Sequence, residues 1–100
     1  MADPWYQVHA SRAVADSLRE LQKQASRQGR GEEFLDAVRQ IHEELQNRPM
    51  VFGEALYRLP ALGMSVRTAS VRPVVVHFAV VDDRPLVFIR LITLLSQPRK

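Results

Sequence analysis

The fold of this chain is decided by residues 70–95, SVRPVVVHFAVVDDRPLVFIRLITLL. Branched aliphatic and aromatic residues fill two runs of this stretch, and Asp82-Asp83-Arg84-Pro85 between them is typical of a turn. The pattern therefore predicts a β-hairpin with strands over 74–81 and 86–95. Each strand carries one polar side chain near its middle, His77 and Arg90, where a core would favour another valine.

The faces of this hairpin follow from its register. If Asp83 and Arg84 form a two-residue loop, counting outward pairs Ala79 with Phe88 and His77 with Arg90 on one face. The other face then contains four nearly all-hydrocarbon pairs, which are Val80 with Val87, Phe78 with Ile89, Val76 with Leu91, and Val74 with Thr93. We expect helices to cover that second face, which leaves His77 and Arg90 on the free one. A longer loop also fits, because Pro85 is unusual in a two-residue hairpin.

The residues before the hairpin predict one strand, two helices and two further strands. Residues 5–10 alternate as a short strand does, and Ser11 is placed to cap a helix that runs to about residue 28. Gly29-Arg30-Gly31 separates it from a second helix that ends at Asn47-Arg48-Pro49. The apolar stripes of the two helices are Val14, Leu18, Leu21 and Ala25, and Phe34, Val38, Ile41 and Leu45. Residues 55–59 and 66–71 are candidate strands, and the tail at 96–100 is predicted to fray.

These elements define an α+β protein in which a two-helix hairpin packs on one face of a mostly antiparallel sheet. The sheet has four or five strands, the order is β-αα-βββ(β), and residues 1–100 form a single domain. An apolar share of 46% and a charged share of 25% are ordinary for such a domain.

Composition also excludes several classes of function. The absence of cysteine rules out disulfides and thiolate metal sites, and His9, His42 and His77 lack the spacing of metal ligands. The glycines match no phosphate-binding loop. We therefore expect no metal, no cofactor and no membrane segment, and a cytoplasmic location.

The net positive charge of the chain lies in its second half. Residues 1–55 hold seven Lys and Arg against nine Asp and Glu, whereas residues 56–100 hold seven against two. Arginine offers a planar fork for phosphate or carboxylate, so the sequence predicts a polyanion or an acidic partner. Arg58, Arg67 and Arg72 would gather around the free face if their strands lie beside the hairpin. The alternative is that such arginines, Arg90 among them, extend their heads into solvent.

Four stretches together resemble the RelE/ParE superfamily of toxins from type II toxin-antitoxin modules, the plasmid-stabilisation class. They are YQVHASRAVADSLRELQKQA (6–25), FLDAVRQIHEELQNRP (34–49), GEALYRL (53–59) and VVVHFAVVDDRPLVFIRLITLL (74–95). Members either cleave messenger RNA on the ribosome, as mRNA interferases, or inhibit DNA gyrase. Each is neutralised by a small antitoxin protein that wraps around it.

The resemblance implies a toxin-like protein whose partners are a cognate antitoxin and either mRNA on the ribosome or DNA gyrase. If it is a metal-independent endoribonuclease, His77 and Arg90 would be catalytic, with Arg58, Arg67 and Arg72 binding phosphate. Arg90 matches the arginine of the superfamily's last strand, while Thr93 and the two leucines after it occupy the later His and Arg positions. The alternatives are a non-catalytic gyrase-inhibiting or protein-binding relative and a basic RNA-binding domain.

Overall fold

The computed structural model describes residues 5–95, so the predicted fraying of the 96–100 tail lies outside the described residues. The elements are β1 (Gln7–Ala10), α1 (Arg12–Arg27), α2 (Gly31–Asn47), β2 (Glu54–Leu59), a 3₁₀ turn (Pro60–Leu62), β3 (Met64–Val71), β4 (Val74–Val81) and β5 (Leu86–Leu94). The predicted α+β class and element order are confirmed. Within 5–95, no helix is long and apolar enough to cross a membrane.

The helix hairpin is bounded by local hydrogen bonds. The Ser11 hydroxyl accepts the Val14 N–H at 3.1 Å, which confirms the predicted cap of α1. At the other end Gly29 adopts a positive φ of 73°, and the Arg30 N–H donates to the Ala25 carbonyl at 2.8 Å. This is a Schellman termination, which needs a residue that tolerates the left-handed region at the glycine position. It reverses the chain directly into α2.

The five strands form one mixed sheet in the order β1-β5-β4-β3-β2. Strands β2 to β5 are antiparallel neighbours, while β1 returns along the outer edge of β5 and is parallel to it. The helices cover one face, where valines of β4 and Phe78 meet Phe34, Ile41 and Leu45 of α2. The predicted apolar stripes of both helices all contribute to this core.

The hairpin register near its turn agrees with the prediction. Ala79 lies opposite Phe88, and Val80 lies opposite Val87, so the two faces divide as expected there. The predicted pairing of His77 with Arg90 is wrong. A bulge in β5 leaves Arg90 without a partner on β4, and His77 lies opposite Leu91.

Beyond the bulge, each β5 residue lies on the face of the sheet opposite to the predicted one. Val76 lies opposite Ile92 and Val74 opposite Leu94, instead of Leu91 and Thr93 as predicted. A regular strand would bury a leucine and a threonine at these places, whereas the bulged strand buries an isoleucine and a leucine. Because burying the threonine hydroxyl without a partner is costly, the bulged strand makes the better core.

Candidate functional site

The sheet face turned away from the helices, called here the open face, includes two rows of neighbouring side chains that cross the strands. One row crosses all five strands, through Tyr57, Val66, Ala79, Phe88 and His9. The next row crosses four strands, through Glu54, Thr68, His77 and Leu91. The open face is therefore mainly hydrocarbon and aromatic, with two imidazoles set into it.

The open face combines a shielded centre with exposed apolar groups. Val66 and Ala79 are only 2% and 1% exposed, because the larger side chains around them shield them. Tyr57 and Leu91, in contrast, are 52% and 47% exposed. Beside this centre the His9 and Phe88 rings lie 5.6 Å apart between centroids. Large exposed apolar groups within one face are a feature of surfaces that bind other proteins.

A shallow hollow lies on this side of the molecule beside the β4–β5 turn. Its volume is about 500 Å³. Three charged residues, Asp82, Asp83 and Arg84, line it together with apolar side chains, and Asp82 is paired with Arg58. The apolar lining includes Leu62, Met64, Val81, Leu86 and Phe88. An apolar side chain of a partner fits such a hollow, with a polar contact available at the edge.

His77 lies near the middle of the open face and is half-buried. Its strand neighbours on this face are Thr68 and Leu91. The Thr68 hydroxyl donates to the Val76 carbonyl at 3.4 Å, so it is engaged with the backbone. In the described part of the chain, no hydrogen bond or ion pair joins His77 to a carboxylate or a guanidinium. The imidazole is available to a ligand, but within residues 5–95 no acid or base is hydrogen-bonded to it.

Arg67 lies on the helix-covered face, opposite Phe78, and not with His77. Its Nε donates to the Phe52 carbonyl at 3.3 Å and its Nη2 to the Gly53 carbonyl at 3.1 Å. These bonds tie the segment after α2 to the centre of the sheet. The guanidinium is therefore part of the scaffold.

Arg58 is held by a carboxylate at the end of the sheet. Its Nη1 and Nη2 donate to the two Asp82 oxygens at 3.1 and 2.6 Å, and Nη1 also donates to the Ser65 hydroxyl at 2.8 Å. The hydrogen bond from Arg58 holds the pKa of Asp82 below its usual value, and the same bond raises the pKa of Arg58. The bidentate pair links the β2 edge to the β4–β5 turn.

The remaining two predicted residues are exposed. Arg72 stands in the β3–β4 turn, and Arg90 is the bulged residue of β5, next to Leu91. His77 and Arg90 therefore remain near neighbours. The structure does not bring Arg58, Arg67 or Arg72 to them.

The sequence pattern placed Ala79 and Phe88 on the free face correctly, but it did not predict that His9 and Tyr57 belong to that face. His9 joins it because β1 pairs in parallel with β5, a long-range contact that no local pattern encodes. The alternation of residues 5–10 does place His9 on the face opposite Val8, which was the available signal.

Comparisons with models of protein families, with curated proteins and with solved structures find no match to this chain. The open face and the charged residues around it are therefore the features from which a function is proposed.

Proposed function

We propose that this chain is a toxin-like component of a type II toxin-antitoxin module that acts in the cytoplasm by binding protein. The open face is the observation that carries the proposal. It presents Tyr57, Phe88 and Leu91 together, beside a hollow that fits an apolar side chain. The order of one strand, a helix hairpin and then a sheet is also what the resemblance to the RelE/ParE superfamily implies.

The distribution of arginines favours the protein-binding alternative over ribonuclease activity. RNA cleavage without a metal needs a base, an acid and cations placed around one phosphate. Arg67 donates to backbone carbonyls on the other side of the sheet, and Arg58 is paired with Asp82. Of the residues predicted to act in catalysis or phosphate binding, only Arg90 lies near His77, because it precedes Leu91, the strand partner of His77.

The partner we propose for the open face is an antitoxin segment with apolar anchors and carboxylates. The anchors would enter the hollow, and the carboxylates would meet Arg84, which lines the hollow, and the exposed Arg90. A small acidic protein encoded next to this gene is the partner to test by co-expression and co-purification.

The proposal is tested by inducing the gene in bacterial cells and following growth. We expect growth arrest, and we expect Leu91→Asp to relieve it, because a carboxylate at the centre of the open face opposes apolar docking. Leu35→Asp is the matched control, since Leu35 is 39% exposed on α2 and Leu91 is 47% exposed on the open face. Circular dichroism establishes that both variants fold. Normal growth on induction of the unaltered chain would remove the toxin role.

A second pair of variants separates binding from RNA cleavage. His77→Ala and Arg90→Ala are expected to keep the growth arrest, because neither removes the apolar part of the open face. The unaltered chain is then incubated with translating ribosomes, where intact mRNA is expected. If mRNA is cleaved and His77→Ala abolishes the cleavage, the ribonuclease alternative replaces this proposal.

A further inference from the structure

A second concave site lies between the helix pair and the sheet, on the opposite side from the open face. Its volume is about 260 Å³. Its walls are aliphatic except for one imidazole; the sheet contributes Val8, Ala10, Ile89 and Ile92 among others, and the helices contribute Leu18, Val38, Ile41 and His42.

The cavity arises because the helix pair closes on the sheet unevenly. Beside the turn between the helices, Ala25 and Phe34 are fully buried. Farther from that turn, Leu18 and Val38 are only half-buried, and they line the cavity. Ala10 is a small residue at the end of β1, so the edge strand leaves part of the volume unfilled.

The mouth of the cavity is open to solvent. Ala10 and His42 are both exposed and both line the site, so a ligand reaches it without unfolding the chain. The deeper wall contains Val74 and Val76, which are 1% and 0% exposed. A molecule that enters from the β1 side therefore passes one imidazole and then meets only hydrocarbon.

We propose that this cavity binds a small uncharged apolar molecule about the size of a fused two-ring aromatic. An apolar cavity of about 150 Å³ accommodates benzene, so a site of this volume has room for a second ring. The aliphatic walls exclude charged compounds, because a charge there would lose its hydration without gaining a partner. His42 at the mouth provides one hydrogen-bonding group for a single N–H or hydroxyl. This inference is independent of the toxin proposal.

The test uses indole as the probe and thermal unfolding as the readout. Indole is expected to raise the melting temperature in a concentration-dependent manner, because a ligand that binds only the folded state stabilises it. In two-dimensional NMR, the methyl signals of Val8, Val38 and Ile89 are expected to shift, while those of Val66 on the open face stay in place. Indole-3-acetate, which is charged at neutral pH, is expected to give no shift.

Filling the cavity provides the decisive variants. Ala10→Ile is expected to raise the melting temperature without ligand and to lose the indole-dependent rise. Val38→Phe fills the site from α2 and is expected to lose that rise as well, so the test does not depend on one variant folding. Ala13→Ile, at an exposed position of α1, is the matched control and should keep it. An unaltered chain that shows no indole-dependent shift, or filled variants that keep it, would overturn the inference.

Discussion

The bulge in β5 makes a quantitative prediction about two adjacent residues. Ile92 is 9% exposed and packs in the core, whereas Leu91 is 47% exposed on the open face. Truncating a buried isoleucine to alanine typically costs about 2–5 kcal/mol, and the nearly complete burial of Ile92 places Ile92→Ala at about 3 kcal/mol. Leu91→Ala removes a side chain that is already half in water, so about 1 kcal/mol or less is expected.

Urea unfolding followed by circular dichroism measures both free energies under the same conditions. A loss of about 3 kcal/mol is a large share of the stability of a domain of this size and shifts the melting temperature by roughly 12–24 °C. The slope of the unfolding free energy with urea should stay the same in both variants if the native fold is kept. A larger loss for Leu91→Ala than for Ile92→Ala would refute the bulge and restore the regular register.

Three further predictions concern the contacts made by β2 and by the segment that precedes it. Gly53→Ala is expected to lower the free energy of unfolding by more than about 2 kcal/mol, because φ is 74° there and an added Cβ would lie 2.1 Å from the Thr68 carbonyl oxygen. Urea unfolding measures this loss, and an unchanged unfolding midpoint would contradict the close approach. Arg67→Met should lower the free energy of unfolding by about 1–3 kcal/mol, because it removes the hydrogen bonds to the Phe52 and Gly53 carbonyls. Amide hydrogen exchange should become faster in the segment after α2, and unchanged exchange there would contradict the role of these bonds. The Asp82 pKa is lowered from 3.8, so the stabilisation by its pair with Arg58 is present above that pH and is lost as the pH falls through the lower folded-state value. The difference in unfolding midpoint between the unaltered chain and Asp82→Asn should therefore disappear in acid, and a difference that persists there would show that the pair is not its source.

Sequence periodicity predicted the helices because each carries one continuous apolar stripe with clear end signals. Ser11 caps α1 as expected, and the four stripe residues of α2 from Phe34 to Leu45 all contribute to the core. The hairpin register was also predictable near the turn, since the loop residues determine which side chains face each other there.

The register beyond Arg90 was hard to predict, because both alternations of residues 91–95 supply leucine side chains to the core. Thr93 is the one polar residue that distinguishes them, and a single threonine does not reveal a bulge. The bulge is selected by the pairing with β4 and by the packing of Ile92 and Leu94 against the helices, which are tertiary effects.

The role of Arg67 could not be predicted from the sequence, for a similar reason. Its acceptors are backbone carbonyls 14 and 15 residues earlier in the chain, and they carry no side-chain signal. An arginine in a strand therefore reads as a surface cation, even when it holds a loop. The same holds for Arg58, whose carboxylate partner lies 24 residues away.

The bulge also bears on the proposed binding of a protein partner by the open face. A regular β5 would set Arg90 directly opposite His77 and bring a guanidinium, which suits phosphate, to the centre of this face. The observed strand places Leu91 opposite His77 and leaves Arg90, the bulged residue, without a partner on β4. In the proposed complex, apolar contact would supply the binding energy, while Arg84 and Arg90 would orient an acidic partner and speed its association. The inserted residue thus favours the proposed protein binding over anion binding at the centre of this face, and Leu91 is the residue whose substitution tests that proposal.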